Sequence, residues 1–112
     1  MPNIAINGAD FYYTLEGSGP SLVIIGGYTA NHNFCPEFID QMRKHFSVLA
    51  FDNRGIGQTI DDGKELSARL MATDTRLIIE KLGLQSPSVI GISMGGAIAQ
   101  ELAVQMGKRL SK

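Results

Sequence analysis

Val89-Ile90-Gly91-Ile92-Ser93-Met94-Gly95-Gly96-Ala97-Ile98-Ala99 is the stretch of this 112-residue chain on which the fold turns. Its first four residues form a short apolar run, which predicts a strand buried on both faces. From Gly95 onward the period changes. Ile98, Leu102 and Met106 recur at steps of four, with Ala99 and Ala103 beside them, until Gly107 ends the pattern. Strand therefore passes into helix with almost no connecting loop. No charged residue lies between Leu82 and Gln100, a length that could be taken for a membrane span. Gln85, Ser86, Pro87, Ser88, Ser93 and four glycines within it point instead to a buried strand followed by a buried helix.

The same alternation runs upstream. Ile4 and Ile6, then Phe11, Tyr13 and Leu15, alternate with other residues on either side of Asn7-Gly8, the pattern of an antiparallel hairpin. Gly17-Ser18-Gly19-Pro20 breaks the chain, and Leu22 to Ile25 predicts a strand that ends at Gly26-Gly27. Pro36 and Glu37 suit a first helical turn, and Phe38, Ile39 and Met42 extend a helix of about three turns as far as His45. Val48 to Phe51 predicts the next strand, closed by Asp52-Asn53-Arg54-Gly55-Ile56-Gly57. A second helix runs from near Ser67, with Leu70, Leu77, Ile78 and Leu82 as its apolar stripe and Gly83 as its stop. Strand, helix, strand, helix, strand, helix is the order that builds a parallel sheet by right-handed crossovers, so the class is α/β, with one domain over residues 1–112.

Ten Lys and Arg against eleven Asp and Glu give a formal net charge of −1, which supplies no basic field for nucleic acid. Hydrophobic residues at 44% and charged residues at 19% exclude default disorder. Glycine is the outlier, at 13 of 112 residues, and signals tight turns or close backbone approach. The single cysteine, Cys35, has no internal disulfide partner, and residues 1–10 carry neither a basic start nor a long apolar run. These features point to a cytoplasmic protein with no membrane partner.

Gly91-Ile92-Ser93-Met94-Gly95 is a G-x-S-x-G sequence in the strand-to-helix setting that gives it chemical meaning. A serine on so sharp a turn adopts a strained backbone, and Cβ atoms two residues to either side would collide, hence the glycines. The turn would lift the Ser93 hydroxyl above the carboxyl end of the sheet as a nucleophile. The Met94 N–H, at a helix N-terminus, would face developing negative charge. Gly26-Gly27-Tyr28 ends an earlier strand, from which the Tyr28 N–H could reach the same oxyanion. A glycine turn needed only to leave the strand is an equal reading of that second segment.

With these residues in place, the chain resembles the N-terminal part of an α/β-hydrolase of the serine esterase and lactonase type. The hairpin at Asn7-Gly8, the strand into Gly26-Gly27, Asp52 to Thr59, and Gly91 to Gly96 follow the order of that family, and the likeness covers essentially all 112 residues. It implies an N-terminal hairpin beside a mostly parallel sheet in which the Leu22 strand lies between the Val48 and Val89 strands, with a ligand crevice at their carboxyl ends. It implies a serine hydrolase acting on a carboxylic ester, thioester or lactone, with no metal or organic cofactor. Relatives that attack alkyl halides or epoxides carry aspartate where this chain has Ser93. The family usually has His-Gly where this chain has Gly26-Gly27. Its catalytic acid and histidine come in a following half, so these residues alone are expected to be poorly active.

The remaining polar residues read as structural. His45 closes the first helix, and His32 is a polar loop histidine without an orienting carboxylate nearby. Asp52 and Arg54 are expected to pair or hydrogen-bond within their own loop. Asp61, Asp62, Glu65 and Asp74 lack the spacing of metal ligands, and Cys35 reads as a small apolar filler. A second functional expectation rests on the Val89 strand, whose outer edge should be unpaired and apolar. On that reading the chain acts by assembling with a complementary C-terminal half or with a copy of itself.

Overall fold

Asn7 and Gly8 adopt φ of 47° and 80°, the left-handed pair that a two-residue hairpin turn needs, and they join β1 (Asn3–Ile6) to β2 (Ala9–Gly17). The structure is a computed structural model in which residues 3–26, 36–54, 59 and 67–112 are described. After the hairpin come β3 (Ser21–Ile25), α1 (Pro36–Arg43), β4 (Ser47–Phe51), α2 (Ala68–Leu82), β5 (Ser88–Gly91) and α3 (Met94–Met106), with one turn of 3-10 helix at Gly107–Arg109. The strand order is β1-β2-β4-β3-β5. β3 runs parallel to β4 on one side and to β5 on the other, while β2 runs antiparallel to β4. The strand read from Leu22 thus lies between its two parallel neighbours.

Period-two alternation divides the core. Val23, Ile25, Leu49 and Phe51 face α2 and α3, where they meet Met71, Ile78, Ile98 and Leu102. Leu22, Ile24 and Val48 face the opposite layer with Ile39 of α1. Helices on both faces of a parallel sheet are the α/β arrangement that the sequence predicts. Ser67 caps α2 by accepting a hydrogen bond from the Leu70 N–H at 3.0 Å, and Gly83 ends the helix in the left-handed conformation at φ 70°. No helix among the described residues is long and apolar enough to cross a membrane.

Four expectations change in detail. α1 has eight residues rather than three turns, and His45 sits in the turn beyond it. β5 is half-buried along its length rather than buried. Its outer edge is not bare at the start, because the Ser111 N–H donates to the Pro87 carbonyl at 2.9 Å and the Val89 N–H to the Lys112 carbonyl at 2.9 Å. α2 buries Met71, Ala72, Asp74, Thr75, Ile78 and Ile79, while Leu70, Leu77 and Leu82 are only half-buried. The helix is rotated from the stripe read in the sequence because Asp74 turns inward to a charged partner.

Candidate active site

The carboxyl ends of β3, β4 and β5 meet at Gly26, Asp52-Asn53-Arg54 and Ile92-Ser93. Hydrogen bonding joins them. The Ile92 N–H donates to the Ile25 carbonyl at 3.0 Å, which carries the β3–β5 ladder one step past the end of β5. Ser93 then turns the chain at φ 59° and ψ −123°, a region that a residue with a Cβ seldom occupies. Such strain, about 1–3 kcal/mol, persists only where the surroundings over-determine it.

The surroundings here are backbone. A Cβ on Gly91 would meet the Gly95 carbonyl, and one on Gly95 would meet the Ile25 carbonyl oxygen, so neither contact could be relieved by a side-chain rotation. α3 can begin directly against the end of the sheet only because both positions lack a side chain. Ser93 is exposed and its hydroxyl makes no cap hydrogen bond to the helix that it starts. The Gly95 and Gly96 amides are taken by the Ile92 and Ser93 carbonyls at 2.9 and 2.8 Å. Among the described residues no backbone carbonyl accepts from the Met94 N–H. An unengaged donor therefore stands beside an exposed hydroxyl at a helix N-terminus.

Of the sequence-predicted site residues, Ser93 and Met94 are brought together here. Tyr28, Gly27, His32 and Cys35 lie outside the described residues, as do residues 55–58 and 60–66 with Asp61, Asp62 and Glu65. His45 precedes β4 at its amino end and Ser93 lies at the carboxyl edge, so a strand of about 17 Å separates them. No three His, Cys, Asp or Glu side chains among the described residues gather as metal ligands.

The loop after β4 makes a contact beyond itself that its sequence reading does not include. Arg54, fully buried, reaches out to α2, where its Nη2 donates to Asp74 Oδ1 at 2.8 Å and its Nε to Asp74 Oδ2 at 3.0 Å. Nη2 also donates to the Asn7 carbonyl at 2.8 Å, and the guanidinium carbon stands 5.8 Å from the Phe11 ring centroid. Local spacing could not reveal a pair twenty residues apart. One signal was available: Asp74 falls between Met71 and Ile78 on the inward side of α2, where an acid requires a buried partner.

Asn53 is also buried, at 1% exposure, and its Nδ2 donates to the Gly26 carbonyl at 3.4 Å. Its Oδ1 is buried without a partner, a situation that costs about 1–3 kcal/mol. Thr59 ties the same loop to the hairpin: its hydroxyl accepts from the Tyr12 N–H at 3.1 Å and donates to the Asp52 carbonyl.

The comparisons with known proteins agree with this geometry. Residues 20–112 match a family model described as the alpha/beta hydrolase fold. The chain belongs to the α/β-hydrolase family. It is 34% identical over 94 residues to a soluble epoxide hydrolase of Corynebacterium sp. strain C12, covering 84% of this chain and 33% of that protein. Among solved structures it superposes on the epoxide hydrolase CorEH with a TM-score of 0.91 at 31% identity, covering 97% of this chain and 38% of that one. A marine microorganism esterase gives 0.85 at 25% identity, covering 91% of this chain and 39% of that one. The chain spans between 33% and 42% of the length of the first curated relatives it matches.

Proposed function

We propose that this α/β-hydrolase carries its chemistry on Ser93, as a serine hydrolase of carboxylic esters, thioesters or lactones. Ser93 Oγ adds to the acyl carbon and its proton passes to a histidine. The carbonyl electrons move onto oxygen, which the Met94 N–H and the Tyr28 N–H stabilise. Collapse expels the alcohol or thiol with that proton, and water releases the acid from the acyl-enzyme by the same steps. In this reading the histidine and its orienting acid follow Ser93 in the chain order common to the family.

The observation that carries the reading is the positive φ of exposed Ser93 between a strand and a helix, with the Met94 N–H unengaged beside it. The names of the epoxide-hydrolase relatives raise another chemistry, and the identity of residue 93 argues against it. A carboxylate that opens an epoxide forms an ester, which water can cleave at its carbonyl. A serine would form an ether that water cannot cleave in this way, and the enzyme would stop after one event.

The test is incubation of the full natural chain with a fluorophosphonate and with p-nitrophenyl esters. One adduct mapped to Ser93, and ester turnover lost by at least about a thousandfold in Ser93→Ala, are expected. Turnover that survives Ser93→Ala, or an adduct elsewhere, would overturn the assignment.

A second reading, assembly with a complementary chain or with another copy, rests on the outer edge of β5. The tail occupies Pro87 and the Val89 N–H there, and the edge continues to Gly91 beyond them. Light scattering at tens of micromolar decides it: a mass of 12.1 kDa that does not change with concentration or added partner counts against assembly.

A further inference from the structure

We propose that Asn53 is a positioning residue: its carboxamide holds the peptide that follows β3 and so sets the direction in which the chain leaves the sheet beside Ser93. The inference rests on the serine-hydrolase reading and extends it to the support of the oxyanion side.

Gly26-Gly27 has no side chain with which to anchor itself, and glycine has the widest backbone freedom. At this point the chain must be held by its neighbours. Ile25 is held from the β5 side, where its carbonyl accepts from the Ile92 N–H at 3.0 Å. Gly26 is held from the β4 side, where its carbonyl accepts from Asn53 Nδ2 at 3.4 Å. Because a peptide unit is planar, fixing the Gly26 carbonyl fixes the unit that joins it to the next residue. Gly95 packs against the carbonyls of both Ile25 and Gly26, so the helix that begins after Ser93 and the strand end that Asn53 grips are in direct contact.

The second observation is the unused half of the amide. Asn53 is 1% exposed with Oδ1 unpartnered, whereas an apolar side chain of the same shape would leave no orphaned acceptor. Stability alone does not call for an amide here. A single donor aimed at the Gly26 carbonyl does.

The experiment compares the full natural chain with Asn53→Leu, which keeps the shape of the side chain without a donor, and with Asn53→Ser, too short to reach the Gly26 carbonyl. Turnover of p-nitrophenyl butyrate is expressed per Ser93 titrated with fluorophosphonate, and amide exchange is read residue by residue by NMR. The expected result is a kcat about tenfold to a hundredfold lower in both variants with KM within about twofold. The amides of residues 27 and 28 should exchange about tenfold faster, with those of β3 unchanged. A lower Tm alone, with kcat per titrated serine and exchange at residues 27 and 28 both at their original values, would overturn the proposal. If the unaltered chain takes no fluorophosphonate at Ser93, the hydrolase reading fails separately. The exchange measurement then decides whether Asn53 holds the peptide.

Discussion

Asn53 and Arg54 are adjacent and equally hidden from water, yet their polar atoms fare differently. Arg54 has a carboxylate on two of its nitrogens, a backbone carbonyl and an aromatic ring around it. Asn53 has one long hydrogen bond and an orphaned oxygen. The arginine faces α2 and the hairpin and belongs to the framework. The asparagine faces the end of β3, at the edge where Ser93 is strained. At this pair the polar group that serves the framework has a partner on three sides, while the one at the edge beside Ser93 keeps a buried acceptor unpaired.

Removing the carboxylate breaks the framework side most severely. Asp74→Ala takes away the carboxylate on which two nitrogens of buried Arg54 rest and should cost about 3–5 kcal/mol in urea unfolding. Arg54→Met combined with Asp74→Leu should cost less than Asp74→Ala alone. A single-variant loss near zero would mean that Arg54 is not framework.

Next in size, Gly95→Ala drives a Cβ into the Ile25 carbonyl and should cost about 3 kcal/mol or more. Gly96→Ala, whose nearest neighbour would be the Gly91 carbonyl at 3.8 Å, should be neutral or stabilising by up to about 1 kcal/mol. Equal melting temperatures for the two would contradict the close approach of α3 to β3.

Ser93→Gly sharpens the site side. Glycine accepts φ 59° freely, so the chain should gain about 1 kcal/mol in thermal unfolding while losing all labelling at that position. No gain would show that the turn is unstrained.

The smallest effect lies on the surface. A hydrogen bond from Arg109, with the nearby charge of Arg76, holds the Glu80 carboxyl below its usual value of 4.5. A depressed folded value means that the stabilisation is present above pH 4.5 and is lost as pH falls through the folded value. Glu80→Gln should therefore flatten the acid limb of the stability profile slightly, and salt should shrink the difference. An unaltered acid limb would remove these arginines from the account.

Several local signals were read correctly, and in those the determining contact is mostly short-range. Asn7-Gly8 specifies its hairpin, Ser67 and Gly83 bound α2, and Gly91 precedes the turn at Ser93 because a Cβ there would meet the Gly95 carbonyl four residues on, whereas Gly95 is fixed by the distant Ile25 and Gly26 carbonyls. Long-range contacts left at most an indirect trace, such as the acid Asp74 between Met71 and Ile78. The rotation of α2 depends on Arg54, twenty residues earlier, and the burial of Asn53 depends on β3 lying beside β4. The tail along β5 was equally hidden, since it uses backbone atoms of Ser111 and Lys112 that any residue would supply.

The bond from Arg54 to the Asn7 carbonyl also works as a proof-reader of strand register. β2 could slide against β4 by one residue and keep much of its ladder, but every side chain would then change face. Such a slip moves the Asn7 carbonyl by about 3.3 Å and takes it out of reach of a cation that has no water to turn to. The error would be charged at a buried ion rather than at an exposed strand. A misaligned hairpin would therefore leave Arg54 without this acceptor once α2 has closed over it.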